Sequence, residues 1–154
     1  MLAFALYDWL KALHVLAAVI WIGGGIMINI LSFFALRSQL PGRRAEFARE
    51  VEWVGMRVFT PLSLVLLGLG FWLIYELDWG YPLWIVVGLV GFGLSFVIGA
   101  GFLGPQAGRI AKTVDTHGPD SPQVEVLIRR VLMVARIDLV ILVFVIFDMV
   151  LKPT

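Results

Sequence analysis

Residues 83–103 read LWIVVGLVGFGLSFVIGAGFL, a run without a single charged side chain. A helix crosses roughly 30 Å of hydrocarbon with about 20 mainly apolar residues, so this run is long enough to span a membrane unaided. Three further stretches have the same character. Residues 9–36 hold Lys11 near their start, residues 53–75 hold Arg57 near theirs, and residues 131–151 hold Arg136, Asp138 and Asp148. The sequence therefore predicts an all-α fold: one integral membrane domain over residues 1–154, built as a bundle of four transmembrane helices.

The rest of the chain agrees. Of the 154 residues, 60% are apolar and 15% charged, and the mean hydropathy is +0.95. A soluble domain has about 45–50% and about 25%. Disorder is excluded by the same richness in apolar and aromatic residues. With no cysteine there is no disulfide scaffold, thiolate metal site, cysteine nucleophile or iron–sulfur cluster. A net charge of +1 gives no reason to expect nucleic acid; the expected partner is the lipid bilayer.

The first stretch is read as a retained helix. Its apolar run is longer than a signal-peptide core, Asp8 precedes it, and no Ala-x-Ala follows. Orientation comes from the basic residues. Arg37, Arg43, Arg44 and Arg49 follow the first span, and Arg109, Lys112, Arg129 and Arg130 follow the third, whereas residues 76–81 hold Glu76 and Asp78 and no Lys or Arg. Excess Lys and Arg mark cytoplasmic loops, so both long connections are expected inside and both termini outside. Trp9, Trp79, Tyr81 and Trp84 then fall in an outer aromatic belt and Trp53 in an inner one. Pro41-Gly42 breaks the first connection, and residues 43–52 read as a polar helical lead-in to the second span. In the second connection residues 116–122, THGPDSP, form a turn cluster in which Ser121 caps a helix beginning at Pro122.

Lipid tails are as apolar as leucine, so helices in a bilayer associate through small residues and polar contacts. Gly88, Gly91, Ser95 and Gly99 give the third span a small face, for packing within the bundle or against a second copy in a homo-oligomer. Gly23-Gly24-Gly25, and Gly68 with Gly70, offer other close approaches. Ionisable groups at membrane depth are costly and usually face the interior. Lys11, His14, Ala18, Trp21, Gly25, Asn29 and Ser32 share one face of the first helix, which is expected to point inward. Arg57 and Asp138 lie at similar depth and are expected to pair, with Arg136 snorkelling to the headgroups. An intramembrane polar cluster of Asn29, Arg57 and Asp138 would alternatively line a proton or ion path. Asp148 is placed to face His14.

His14 is the one histidine at membrane depth; His117 belongs to the turn cluster. It reads either as a hydrogen-bonded histidine, with Asp148, Tyr75 or a carbonyl as partner, or as a metal ligand, and a membrane bundle is a natural host for histidine-held haem. Met27, Met56 and Met133 offer thioethers to copper, or simply fill space. No phosphate loop, paired-carboxylate site or Ser/His/Asp set is present.

The opening Trp9-Leu10-Lys11-Ala12-Leu13-His14, with Trp21 seven residues after the histidine, resembles that of the bacterial copper-resistance-D-like (CopD-like) and HemJ-like small four-helix membrane proteins. The ending Asp148-Met149-Val150-Leu151-Lys152-Pro153 is similar to the finish of an uncharacterised branch of predicted integral membrane proteins, with looser agreement at Gly104-Pro105. The resemblance implies a bacterial inner membrane. Through the HemJ-like relatives, which are protoporphyrinogen oxidases, it implies haem b with His14 as axial ligand and Lys11 and Trp21 beside it. Gly24, Gly25 and Trp21 would shape that pocket, and Lys11 would meet a propionate. The copper-resistance relatives imply copper handling instead. Met27-Ile28-Asn29-Ile30-Leu31 departs from the arginine- and histidine-bearing continuation of the HemJ-like first helix, which weighs against the oxidase activity more than against haem. Three functions follow: a haem-binding redox protein at His14; a transporter or permeation module for copper or protons using Asn29, Arg57 and Asp138; or a structural subunit docking through the small face of the third span.

Overall fold

The computed structural model describes residues 2–38, 40, 42–78, 80–119 and 121–153, and of residues 2–5 and 77 the backbone alone. Pro41 of the expected break, Trp79 of the expected aromatic belt and Asp120 of the turn cluster lie outside the described residues. The chain is helical nearly throughout: α1 Leu2–Arg37, α2 Arg43–Val54, α3 Thr60–Leu77, α4 Leu83–Ile98, α5 Gly104–His117 and α6 Pro122–Leu151.

Two junctions are continuous helix, and one of them, at Gly104-Pro105, reads as the start of a loop in the sequence. α2 passes into α3 through a π segment, Gly55–Phe59, and α4 passes into α5 through another, Gly99–Leu103. Each segment begins on a glycine and is followed by one residue and then a proline, Thr60-Pro61 and Gly104-Pro105. A proline inside an α-helix lacks its N–H donor and presses its ring on the carbonyl four residues back. Here the preceding turn widens to i→i+5 bonding, with the Thr60 and Gly104 N–H groups donating to the Gly55 and Gly99 carbonyls. The wider turn takes up the misfit without ending the helix. Gly104-Pro105, expected in a loop, is therefore the first turn of α5.

The remaining boundaries follow local chemistry. Ser121 has extended backbone and its Oγ accepts from the Val124 N–H at 3.4 Å, with Pro122 in the first helical position, so α6 starts where the sequence places it. Gly118, at φ +85°, closes α5 in a conformation few L-residues adopt, its N–H donating to the Val114 carbonyl at 2.9 Å.

α1 lies against α3 and α6, α4 packs on α6, and the two π segments touch. At one end α2 and α5 fold together against the start of α6. Ala45, Ala48, Ile110, Val114 and Val124 form the core there, with Leu127, Ile128 and Val131 packed on it. Arg49 reaches Asp115 at 2.6 Å across the α2–α5 contact, an exposed pair worth about 0–1 kcal/mol. This basic end gathers both of the long arginine-rich connections. Elsewhere the outer surface is apolar: Val90 is 65% and Val140 69% exposed, with Val19, Phe34 and Phe144 of similar exposure. A surface of that kind belongs in lipid.

By length and composition three continuous helices among the described residues are suited to cross a membrane: Leu6–Arg37, Arg43–Glu76 and Leu83–His117. α6, expected as the fourth, is long enough but carries Arg136, Asp138 and Asp148 within its apolar part and is not among the three.

Candidate functional site

A cavity of about 560 Å³ opens inside the bundle where the two π segments meet. Trp21, Gly25 and Asn29 reach it from α1, Glu52 from α2, Thr60 and Ser63 from α3, Ser95 and Phe96 from α4, and Asp138 and Leu142 from α6. Gly55, Met56 and Phe59 line it from one π segment and Gly99, Ala100 and Leu103 from the other. The wider turns thus form part of the wall, and π bulges are frequent at functional sites.

Most of its polar groups are satisfied within their own helices. Asn29 Nδ2 donates to the Gly25 carbonyl at 3.0 Å, Thr60 Oγ1 to the Gly55 carbonyl at 2.9 Å, and Ser63 Oγ to the Thr60 carbonyl at 2.7 Å. Two groups are not. Ser95, 1% exposed, lies within hydrogen-bonding reach of Asp138, but the geometry of a full hydrogen bond is not met, and Ser95 Oγ and Asp138 Oδ1 are both buried without another partner. Glu52 is the other acid on the lining, its carboxylate laid against Gly108, where a Cβ would stand 2.6 Å from Oε1. Among the described lining residues no Lys, Arg or His appears. The chamber is acidic and hydrogen-bond accepting, with aromatic walls at Trp21, Phe59 and Phe96.

The residues singled out in the sequence divide between this chamber and other places. Asn29 and Asp138 share it; Arg57 does not. Arg57 is exposed, its guanidinium 5.6 Å from the Trp53 ring centroid, and no ion pair with Asp138 forms among the described residues. Matching depth does not fix which face a residue takes: Arg57 stands one residue past Met56, about 100° off the face that lines the chamber. Arg136 is exposed.

Of the five residues expected to hold haem, Trp21 and Gly25 line the chamber, while His14, Lys11 and Gly24 do not. Lys11 is exposed, with its Nζ 5.7 Å from the Tyr7 ring centroid. Gly24 is where α1 meets Phe59, whose ring would be 2.7 Å from a Cβ. Trp21 also packs on Phe92, centroids 5.2 Å apart. His14 is pressed on α3 at Gly70, where a Cβ would stand 3.2 Å from Cε1 and 3.7 Å from Nδ1. Its Nδ1 is buried without a hydrogen bond of full geometry, but the ring lies within reach of the Leu66 backbone carbonyl, the kind of partner expected from the sequence. A ring nitrogen of this kind suits an iron, and α3 closes off the Nδ1 edge of the ring. Asp148, 6% exposed, lies by Gly88; its Oδ2 and His14 Nδ1 both lack a full hydrogen bond, so these two atoms do not meet. Met27, Met56 and Met133 are all exposed, and of them Met56 alone reaches the chamber. Among the described residues no three His, Cys, Asp or Glu side chains gather as metal ligands would.

The small face of the third span packs within the chain. At Gly88 a side chain would meet Met149, and at Gly91 Val145, both on α6. Glu52, Phe59, Thr60 and Ser63 were not singled out in the sequence. Their signal was the series Glu52, Met56, Phe59 and Ser63 at steps of four, three and four, one face of a helix that begins before the span itself.

A helical bundle with a lipid-facing exterior and a polar interior chamber defines a helical integral membrane protein. The chain belongs to the DUF2269 family of predicted integral membrane proteins, which it matches over residues 8–153. Neither a curated protein nor a solved structure matches it.

Proposed function

We propose that the protein is a four-span permeation or transport module for a positively charged species, with the chamber at Asn29, Ser95 and Asp138 as its working part. The observation that carries this reading is Asp138 Oδ1 and Ser95 Oγ, buried without a full hydrogen bond in a cavity of about 560 Å³. A buried polar group that is not fully paired is costly, and ionisable residues inside a membrane mark ion or proton pathways. An acidic lining selects for positive charge. The protein is reconstituted in liposomes and proton flux is read with an enclosed pH dye. Flux above that of empty liposomes, reduced at least tenfold in Asp138→Asn, is the expected result. Flux no greater than in empty liposomes removes the reading.

α6 completes the proposed four crossings. Asp138 and Asp148 turn inward, while Met133, Ile137, Val140, Phe144 and Phe147 present an apolar outer face. The basic end faces the cytoplasm of a bacterial cell, both termini the other side. The chain has no cysteine, so single replacements at Arg43 and Asp78 report sidedness cleanly. An impermeant thiol reagent applied from outside should label position 78 and spare 43. Labelling of both from one side overturns the topology.

A haem b site at His14 is the second reading, favoured by the buried Nδ1 without a full hydrogen bond and by the likeness of the opening to HemJ-like proteins. Ligation through Nδ1 requires α1 and α3 to part at Gly70. The protein purified after expression with ample haem should then show a Soret band that His14→Ala abolishes. A colourless preparation removes it.

A further inference from the structure

The chamber is larger than its proposed cargo class requires. A water molecule occupies about 30 Å³ of liquid volume, so a proton relay or a bare ion would need a small fraction of the 560 Å³ present. Cavities of roughly 300–1,000 Å³, mostly apolar with a few converging polar groups, suit organic molecules. The walls give that molecule its chemistry. Trp21, Phe59 and Phe96 present aromatic surface, and Glu52 and Asp138 are the acids. Aromatic faces attract ammonium groups, most strongly where water is excluded. An anion would face two carboxylates without a cation on the lining. A neutral hydrocarbon would leave Ser95 Oγ and Asp138 Oδ1 as they are, buried and without a full hydrogen bond.

Two further features specify a ligand with an apolar part. A second, largely apolar cavity of about 110 Å³ adjoins the first, sharing Ile28, Asn29, Val51, Leu103 and Ala135 with it; Arg44 lies on its lining, with its guanidinium donating to the Leu36 carbonyl at 3.2 Å. The exposed lining residues Met56, Ala100 and Pro105 place an opening on the side of the bundle, level with the π segments and near the exposed Trp53. Tryptophan of this kind sits at the membrane interface, the layer in which amphipathic cations collect.

We propose that the chamber binds a lipophilic organic ammonium ion, its charged nitrogen at Asp138 and Ser95 and its apolar body against Trp21, Phe59 and Phe96. This rests on the transport reading and names its cargo, but binding and flux can fail separately.

The test is calorimetric titration of the full chain in non-ionic detergent with benzylammonium, whose N–H groups can donate to Asp138 and Ser95, its neutral carbon isostere ethylbenzene, and benzenesulfonate. Saturable one-to-one binding of the ammonium ion is expected, with the two comparison compounds at least tenfold weaker. Asp138→Asn should weaken the ammonium at least tenfold with an unchanged melting temperature, and Glu52→Gln should weaken it less. Arg136→Gln, outside the chamber, should bind as the wild type does. Equal binding of cation and isostere overturns the proposal, as does no binding of the cation, or full affinity in both acid variants. Saturable binding without flux in liposomes would leave this inference standing and remove the transport reading. Proton flux without ammonium binding would do the reverse.

Discussion

Gly91→Leu is expected to lower the melting temperature more than any other single change considered. Gly91 faces Val145 across the α4–α6 contact, and even a Cβ at this position would collide with the valine Cγ2. Val145 is β-branched and stiff about χ1, so it has no easy way to yield. Overpacking costs about 1–3 kcal/mol, occasionally more, and each 1 kcal/mol shifts the melting point of a chain this size by about 2–4 °C. A fall of about 6–12 °C is expected for a cost near 3 kcal/mol. Gly88→Ala should be milder, because the obstacle there is the end of the flexible Met149 side chain. At Gly93, on the same helix, a Cβ would meet nothing within 4 Å, so Gly93→Ala should leave the melting point unchanged or raise it. Equal losses at 91 and 93 would mean that α4 does not pack on α6 through this face.

Asp138→Leu should move stability and function in opposite directions. Leucine removes a carboxyl group with one buried, unpartnered oxygen from a largely apolar surrounding, where such a group is costly, and puts methyl groups into the chamber. A higher melting temperature in detergent is expected, together with flux at the level of empty liposomes. The combination separates a functional acid from a structural one. If Asp138 held the bundle together, its loss would lower stability; a lower melting temperature with intact flux would therefore refute the role assigned to it.

Local signals in the sequence survive into the structure where a helix is regular. The Ser121-Pro122 start of α6 depends on a few neighbouring residues, and the polar lead-in at residues 43–52 is helical as its pattern indicates. Asn29 reaches the interior because α1 is unbroken from Leu2 to Arg37. Reading fails at Arg57 because equal depth says nothing about facing, and Arg57 stands one residue past Met56, off the face that lines the chamber. It fails at Gly104-Pro105 because glycine followed by proline looks like the end of a helix, whereas the π segment before it carries the helix onward. His14 is a different case. Its inward face was legible, but its neighbour was not, because pairing α1 with α3 at Gly70 depends on how separate helices dock.

The π segments also bear on how this fold tolerates changes in chain length. A short π segment is equivalent to one residue inserted into an α-helix and absorbed locally. Deleting a residue within Gly55–Phe59 or Gly99–Leu103, with the proline that follows replaced, would restore an ordinary turn and leave both flanks in their original phase. Deleting a residue from a regular part of the same helices would rotate one flank against the other by about 100°, the angle per residue of a 3.6-residue turn. Two short windows of the chain can therefore lose a residue and forfeit little beyond local width, and both windows lie on the chamber wall. Bundle and chamber are in this sense separable by insertion and deletion: a lineage could acquire or discard the cavity one residue at a time while keeping the helices that cross the membrane.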